Sequence, residues 1–134
     1  MELKLFSATG NKAQAVWLLD DDSSGLKSLS RLLDSSGWNV KSFTDPFAFL
    51  QQAGIDCPNV AVIDIVMPKL DGIEAARQMR RERPDAKIIV MSGGPRAGKA
   101  DLPTTARELG AAAALEKPFD PEELTTLLRA LIAS

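Results

Sequence analysis

Hydrophobic positions along the chain come in two alternating patterns. Residues 15–20 read A-V-W-L-L-D, a short apolar run without alternation, as in a strand buried on both faces. The next apolar positions are spaced for a helix, with Leu29, Leu32 and Leu33 on one face and Gly37 as its stop. Asn39 to Phe43 predicts a second, weaker strand. Asp45-Pro46 then predicts an N-cap followed by proline at the first helical position, opening a short helix through about Ala53. Val60 to Asp64 (V-A-V-I-D) is the third strand. Asp71-Gly72-Ile73-Glu74 has the spacing of a capping box, and its helix ends near Arg83 because Pro84 disfavours continuation. Lys87 to Ser92 (K-I-I-V-M-S) is the fourth strand, followed by the Gly/Pro-rich stretch G-G-P-R-A-G-K-A-D-L-P. A helix from about Thr104 to Leu109, stopped by Gly110, leads to a poorly apolar fifth strand from Ala113 to Glu116. Asp120-Pro121-Glu122-Glu123 caps a last helix whose Leu124, Leu127, Leu128 and Leu131 face inward.

Five strand patterns alternating with five helical ones imply an α/β fold, a doubly wound parallel sheet with helices on both faces. Ligands of such sheets lie outside the carboxyl ends of the strands. Four strand patterns end there in polar groups: Asp20-Asp21-Asp22 after the first, Asp64 at the third, Ser92 at the fourth and Lys117 at the fifth. Singly, each has an ordinary structural role, since acids after strands cap helices and a lone serine or lysine is commonly solvated. Gathered at one edge, they describe a chemical site. Crowded carboxylates repel unless a cation sits between them, and Mg²⁺, with oxygen ligands and retained waters, suits a site of few acids. Carboxylate, metal, hydroxyl and ammonium around one point suit phosphoryl transfer, in which an aspartate can itself be the nucleophile.

Composition narrows the choice. The chain has 134 residues, 45% hydrophobic and 25% charged, in the range of one ordinary globular domain. A net charge of −2 argues against non-specific nucleic-acid binding. The absence of histidine excludes histidine triads, bases and zinc ligands, and the single cysteine, Cys57, fits a reducing compartment. No apolar run approaches the ~20 residues of a membrane span, and residues 1–14 lack a signal-peptide core, so the expectation is a cytoplasmic protein without membrane association.

The motifs D-D-D after the first strand, D-I-V-M-P-K-L-D-G after the third, S-G after the fourth and K-P-F after the fifth resemble those of the receiver domain of bacterial two-component response regulators. The resemblance covers residues 15 to about 133 and leaves residues 1–14 as an N-terminal extension to a receiver domain of 15–134. It implies a flavodoxin-like five-stranded sheet in the order 2-1-3-4-5, a topology known for the chemotaxis receiver. It implies that Asp64 accepts the phosphoryl group, that Asp21 binds Mg²⁺ with Asp20 assisting, and that the Val66 backbone carbonyl is another ligand. Lys117 would pair with Asp64 and then with a phosphoryl oxygen, and Ser92 would hydrogen-bond the phosphoryl group. Pro68 and Gly72 would shape the loop after Asp64, Asp22 would be solvated or capping, and Asp71 would cap a helix. The Lys117-Pro118 bond is expected to be cis. The implied partners are a sensor histidine kinase or histidine phosphotransferase and a downstream protein, with no direct contact to nucleic acid. Activity would be limited to self-phosphorylation and autodephosphorylation. The chain stops just after the fifth helix, so no output domain is expected in it.

Three alternatives stand beside this reading. G-G-P-R-A-G-K-A nearly fits a P-loop, but Ala100 lacks the hydroxyl for Mg²⁺ and Pro103 lies too close for a helix to begin at Lys99. An aspartyl-phosphate hydrolase would want an acid where Val66 stands. A receiver-like module that binds partners without phosphorylation is the third. The sequence also departs from the family at Ala114, where an aromatic residue often reports phosphorylation. Phosphorylation is therefore expected to act through the Gly93–Pro103 stretch, where Arg96 and Lys99 offer cations.

Overall fold

The computed structural model describes residues 14–67, 72–93 and 102–133. The expectations for Pro68, Asp71, Gly94, Arg96 and Lys99 lie outside the described residues, as does the extension up to residue 13. Five strands, β1 (Ala15–Leu19), β2 (Asn39–Phe43), β3 (Val60–Asp64), β4 (Lys87–Gly93) and β5 (Ala113–Lys117), form one parallel sheet in the order β2-β1-β3-β4-β5. The described helices are α1 (Ser23–Ser35), α2 (Pro46–Ala53), α3 (Gly72–Glu82), α4 (Leu102–Glu108) and α5 (Pro121–Ala133). This is the expected fold class and strand order. Among the described residues no helix is long and apolar enough to cross a membrane.

Alternation within each strand decides which helices it holds. Trp17, Leu19, Ala61, Ile63, Ile88 and Val90 face one side and pack with Phe49 of α2, Ala75, Ala76 and Met79 of α3, and Ala106 of α4. Val16, Leu18, Val60, Val62, Ile89 and Met91 face the other side, against Leu26 and Leu33 of α1 and Leu124 and Leu128 of α5. The central strands β1 and β3 are therefore apolar at nearly every position, whereas the edge strand β2 has no buried residue. Trp17, Phe43 and Phe49 form a ring cluster with centroids 5.5–6.0 Å apart.

The helix ends follow local chemistry. Asp22, Asp45 and Asp120 accept hydrogen bonds from the backbone N–H groups of Gly25, Phe47 and Glu122. Glu123 reaches back to the Asp120 N–H and completes a capping box. Gly37 takes the left-handed conformation just past α1, at φ +96°.

Two details differ from the sequence reading. Leu32 is 39% exposed, and the buried stripe of α1 is Leu26 and Leu33 with Leu29 partly covered. At 3.6 residues per turn Leu32 sits about 120° around the helix from Leu26, off that stripe. Helix α4 begins at Leu102 and not at Thr104. Pro103 is tolerated because the first turn leaves its N–H positions without intrahelical partners anyway.

Candidate functional site

The carboxyl ends of β1, β3, β4 and β5 meet because the sheet places these four strands side by side. Asp64 closes β3 opposite Met91, and Ser92 follows Met91 on β4. Lys117 closes β5 opposite Gly93. Asp20 follows β1, its backbone N–H held by the carbonyl of Phe43 at 3.1 Å. The sequence-predicted residues Asp20, Asp21, Asp64, Ser92 and Lys117 thus share one edge. The carboxylates of Asp20, Asp21 and Asp64 each bring an oxygen into a group spanning no more than 4.8 Å.

Burial separates these acids. Asp20 and Asp64 are 6% and 5% exposed, while Asp21 opens to solvent. The ammonium of Lys117 reaches Asp20 Oδ2 at 2.6 Å and Asp64 Oδ2 at 3.0 Å. The remaining oxygens are held by the main chain: Asp22 N–H donates to Asp20 Oδ1 at 3.0 Å and Val66 N–H to Asp64 Oδ1 at 2.9 Å. Ser92 is 1% exposed, and its hydroxyl has no hydrogen-bond partner among the described residues. The Lys117-Pro118 peptide is cis, as expected.

Three features of this geometry escape a reading of side-chain types. The first is the contact of Lys117 with Asp20, shorter than its contact with Asp64. Only the expected Lys117–Asp64 pairing follows from the motifs. The second is the Val66 N–H, a donor every non-proline residue carries and no sequence pattern marks. The third is the solitary hydroxyl of Ser92. Ala114, facing Val90 across the β4–β5 ladder, packs half-buried against the α2–α4 side of the core and has no ring to swing.

Charge in the site is unbalanced. Burial pushes the Asp64 carboxyl above the usual carboxylate range; the Val66 N–H and Lys117 oppose this, and the Asp20 charge adds to it. Burial pulls Lys117 down, but its hydrogen bonds to Asp20 and Asp64 and their charges outweigh it and leave the ammonium above the ordinary lysine range. Among the described residues, one ammonium stands against three carboxylates and leaves an acidic site. The three carboxylates supply the hard oxygen donors that a divalent cation takes, and Asp21 is exposed to the solvent from which Mg²⁺ keeps waters.

These shifts fix a sign for stability. A raised carboxyl pKa means that the folded chain holds the Asp64 proton more tightly than the unfolded chain. Stability then falls as pH rises from the ordinary aspartate value of ~3.9 through the raised one. Lys117 contributes stability that is complete below the ordinary lysine value of ~10.4 and is lost as pH rises through its higher folded value. In metal-free buffer at neutral pH, Asp64→Asn is therefore expected to raise Tm by on the order of a few degrees. The gain should shrink toward acid pH, where the wild-type carboxyl is protonated. A lower Tm for the variant at pH 7, with no narrowing of the difference at pH 4, would contradict the assigned charge balance.

Known proteins are similar to this chain in sequence and fold. The family model for the response regulator receiver domain matches residues 16–129. The transcriptional regulatory protein FixJ of Bradyrhizobium diazoefficiens is 37% identical over 117 residues, 87% of this chain and 56% of that protein. Response regulator MprA of Mycobacterium leprae is 34% identical over 114 residues, 85% of this chain and 49% of that protein. The chain thus spans about half the length of these curated relatives. Among solved structures, the CheY-like response regulator receiver domain protein of Methanospirillum hungatei superposes with a TM-score of 0.80 at 25% identity, over 89% of this chain and 93% of its own. With a family match over most of its length, on the fold and edge site described above, the chain belongs to the response regulator receiver domain family of two-component signalling.

Proposed function

We propose that Asp64 accepts a phosphoryl group from the phosphohistidine of a sensor histidine kinase or histidine phosphotransferase, and that the modified chain then binds a downstream protein with altered affinity. In this step a carboxylate oxygen of Asp64 forms a bond to phosphorus while the phosphorus–nitrogen bond of the donor breaks and its electron pair stays on the imidazole. Asp20, Asp21, Asp64 and the Val66 carbonyl would hold Mg²⁺. Bound there, the ion supplies positive charge against the phosphoryl oxygens. Lys117 exchanges part of its carboxylate contact for a phosphoryl oxygen. The receiver unit is taken as residues 15–134, with residues 1–14 as an extension.

The observation that carries this reading is the buried Ser92 hydroxyl, without a partner among the described residues and one residue past the register partner of Asp64. A buried polar group without a partner costs roughly 1–3 kcal/mol. A phosphoryl group on Asp64 would bring acceptor oxygens to that neighbourhood and relieve the penalty. The cost is thus borne in the unmodified state and removed in the modified one, which favours keeping the phosphate.

Intact-mass measurement after incubation with acetyl phosphate and Mg²⁺ tests the proposal. One added phosphoryl group is expected, and none when EDTA replaces Mg²⁺. An unmodified wild-type chain under both conditions would refute it.

The metal assignment carries its own prediction. Asp21 is exposed and makes no ion pair among the described residues, so its removal deletes a ligand without disturbing the core. Asp21→Ala is expected to weaken Mg²⁺ binding roughly tenfold or more and to slow labelling, while the metal-free fold is no less stable. Unchanged affinity in a calorimetric titration would remove Asp21 from the ligand set.

A further inference from the structure

Each described crossover helix returns the chain from the carboxyl ends of the strands to the start of the next one. The last turn of α3 and the turn after α4 therefore lie at the sheet edge remote from Asp64. There the two helices enclose a recess of about 440 Å³, lined by Arg77, Arg80 and Arg81 of α3 and by Arg107, Leu109 and Gly110 at the end of α4. Glu108 is the sole acid among the described residues of its lining. Four arginines gather here in a chain whose net charge is −2.

Two neighbouring arginines have partners of their own. Arg83, just past the end of α3, donates to the Ala53 carbonyl at 2.7 Å and ties this end to α2. Arg77 lies 3.6 Å from Glu74. Arg80, Arg81 and Arg107 have no ion-pair partner among the described residues. Arg77, Arg80 and Arg81 occupy i, i+3 and i+4 positions, so like charges crowd one helix face. The α3 dipole favours cations in its last turn, which accounts for Arg80 and Arg81 but not for Arg107 on the neighbouring helix. Arg80 is also positioned across the gap. A Cβ built on Gly110 would fall 2.5 Å from Arg80 Nε and 3.2 Å from its Cδ and Cζ. The bare glycine lets the Arg80 side chain lie over the turn after α4, on the same recess as Arg107.

We propose that this recess binds a small molecule carrying two or more linked phosphoryl groups, either an inorganic polyphosphate or a nucleoside polyphosphate. Guanidinium groups present paired donors that match phosphate oxygens, and several of them around one cavity match several linked phosphates better than a single carboxylate. The volume suits a small ligand. Leu109, buried at the recess, adds an apolar surface. Such a ligand would relieve the arginine crowding, in the same sense that a cation relieves the acidic cluster at the opposite edge.

The test is calorimetric titration of the full chain with sodium tripolyphosphate in EDTA, with amide chemical shifts recorded alongside. One binding event is expected, with shifts concentrated at residues 77–81 and 107–110. Arg80→Gln and Arg107→Gln should each weaken it by roughly tenfold, and Arg80→Lys should weaken it less, because charge remains while the paired donors are lost. Arg129→Gln, at an exposed arginine of α5 outside the recess lining, should bind as the wild type does. Thermal melts check that the variants fold, and the exposed Arg107 keeps the test open if Arg80→Gln does not. A nucleoside triphosphate that binds tighter than tripolyphosphate identifies a nucleotide; equal affinity identifies the inorganic chain. No binding, affinity unchanged in both arginine variants, or equal binding of a hexaglutamate peptide at the same residues would overturn the proposal.

Discussion

Asp64→Asn takes up no phosphoryl group from acetyl phosphate and Mg²⁺, while the wild type takes up one: this is the expected result with the largest effect on activity. Asn keeps the size and shape of the side chain, so the ends of β3 and β4 have no reason to move. It removes the proposed nucleophile, because an amide oxygen does not form a stable acyl phosphate under these conditions. Neighbouring acids cannot substitute. Asp20 is buried and gives one oxygen to Lys117 at 2.6 Å and the other to the Asp22 N–H at 3.0 Å. Asp21 is exposed and is not one of the two acids that pair with Lys117. Asp64 combines burial at the end of a central strand with the Lys117 ammonium at 3.0 Å, a cation beside the oxygens a phosphoryl group would bring. Intact mass and peptide mapping read the outcome. Equal labelling of wild type and Asp64→Asn would move the acceptor elsewhere, with Asp20→Asn and Asp21→Asn locating it.

The strands and the gathering of these polar residues at one edge are legible in the sequence for one physical reason. In a parallel sheet covered on both faces, β1 and β3 must be apolar at successive positions, so Asp20 and Asp64 stand out as the polar residues that end such runs. Strand β5 was fainter because an edge strand buries less; only Leu115 of its five residues is buried. The pattern and the structure differ where a local rule has two solutions. Leucines at 29, 32 and 33 look alike in a helical pattern, and only the docking of Leu26 and Leu33 on the sheet shows that Leu32 lies outside the stripe. Pro103 signals a helix boundary, yet a first-turn proline sits inside α4. The Lys117–Asp20 contact and the Val66 N–H depend on how strand ends are staggered and on backbone direction, which residue identities do not encode. The hydroxyl of Ser92 was visible as a residue, but its lack of a partner is a property of its surroundings.

Gly72→Ala is expected to lose several kcal/mol of stability, among the largest effects of any single methyl group in this chain. Gly72 opens α3 directly against the end of β3. A Cβ there would lie 1.9 Å from the Asp64 carbonyl oxygen, 2.4 Å from Ile65 Cα and 2.7 Å from the Asp64 carbonyl carbon. All three are backbone atoms, so no side-chain rotation can make room. Helix α3 would have to withdraw from the strand, and Ala75, Ala76 and Met79, all fully buried, would withdraw with it. Overpacking of a dense interior ordinarily costs about 1–3 kcal/mol and more where the backbone itself must shift. Tm should fall by on the order of 10 °C or more. The same displacement moves the main chain of Asp64, so phosphoryl uptake should drop in whatever fraction stays folded. Gly37→Ala is the matched control. Gly37 has φ +96°, but nothing lies within 4 Å of the position its Cβ would take, so only backbone strain of about 1–2 kcal/mol is added. Chemical denaturation of both variants separates the two causes. If Gly72→Ala costs no more than Gly37→Ala, the close approach of α3 to β3 does not hold the Asp64 loop in place.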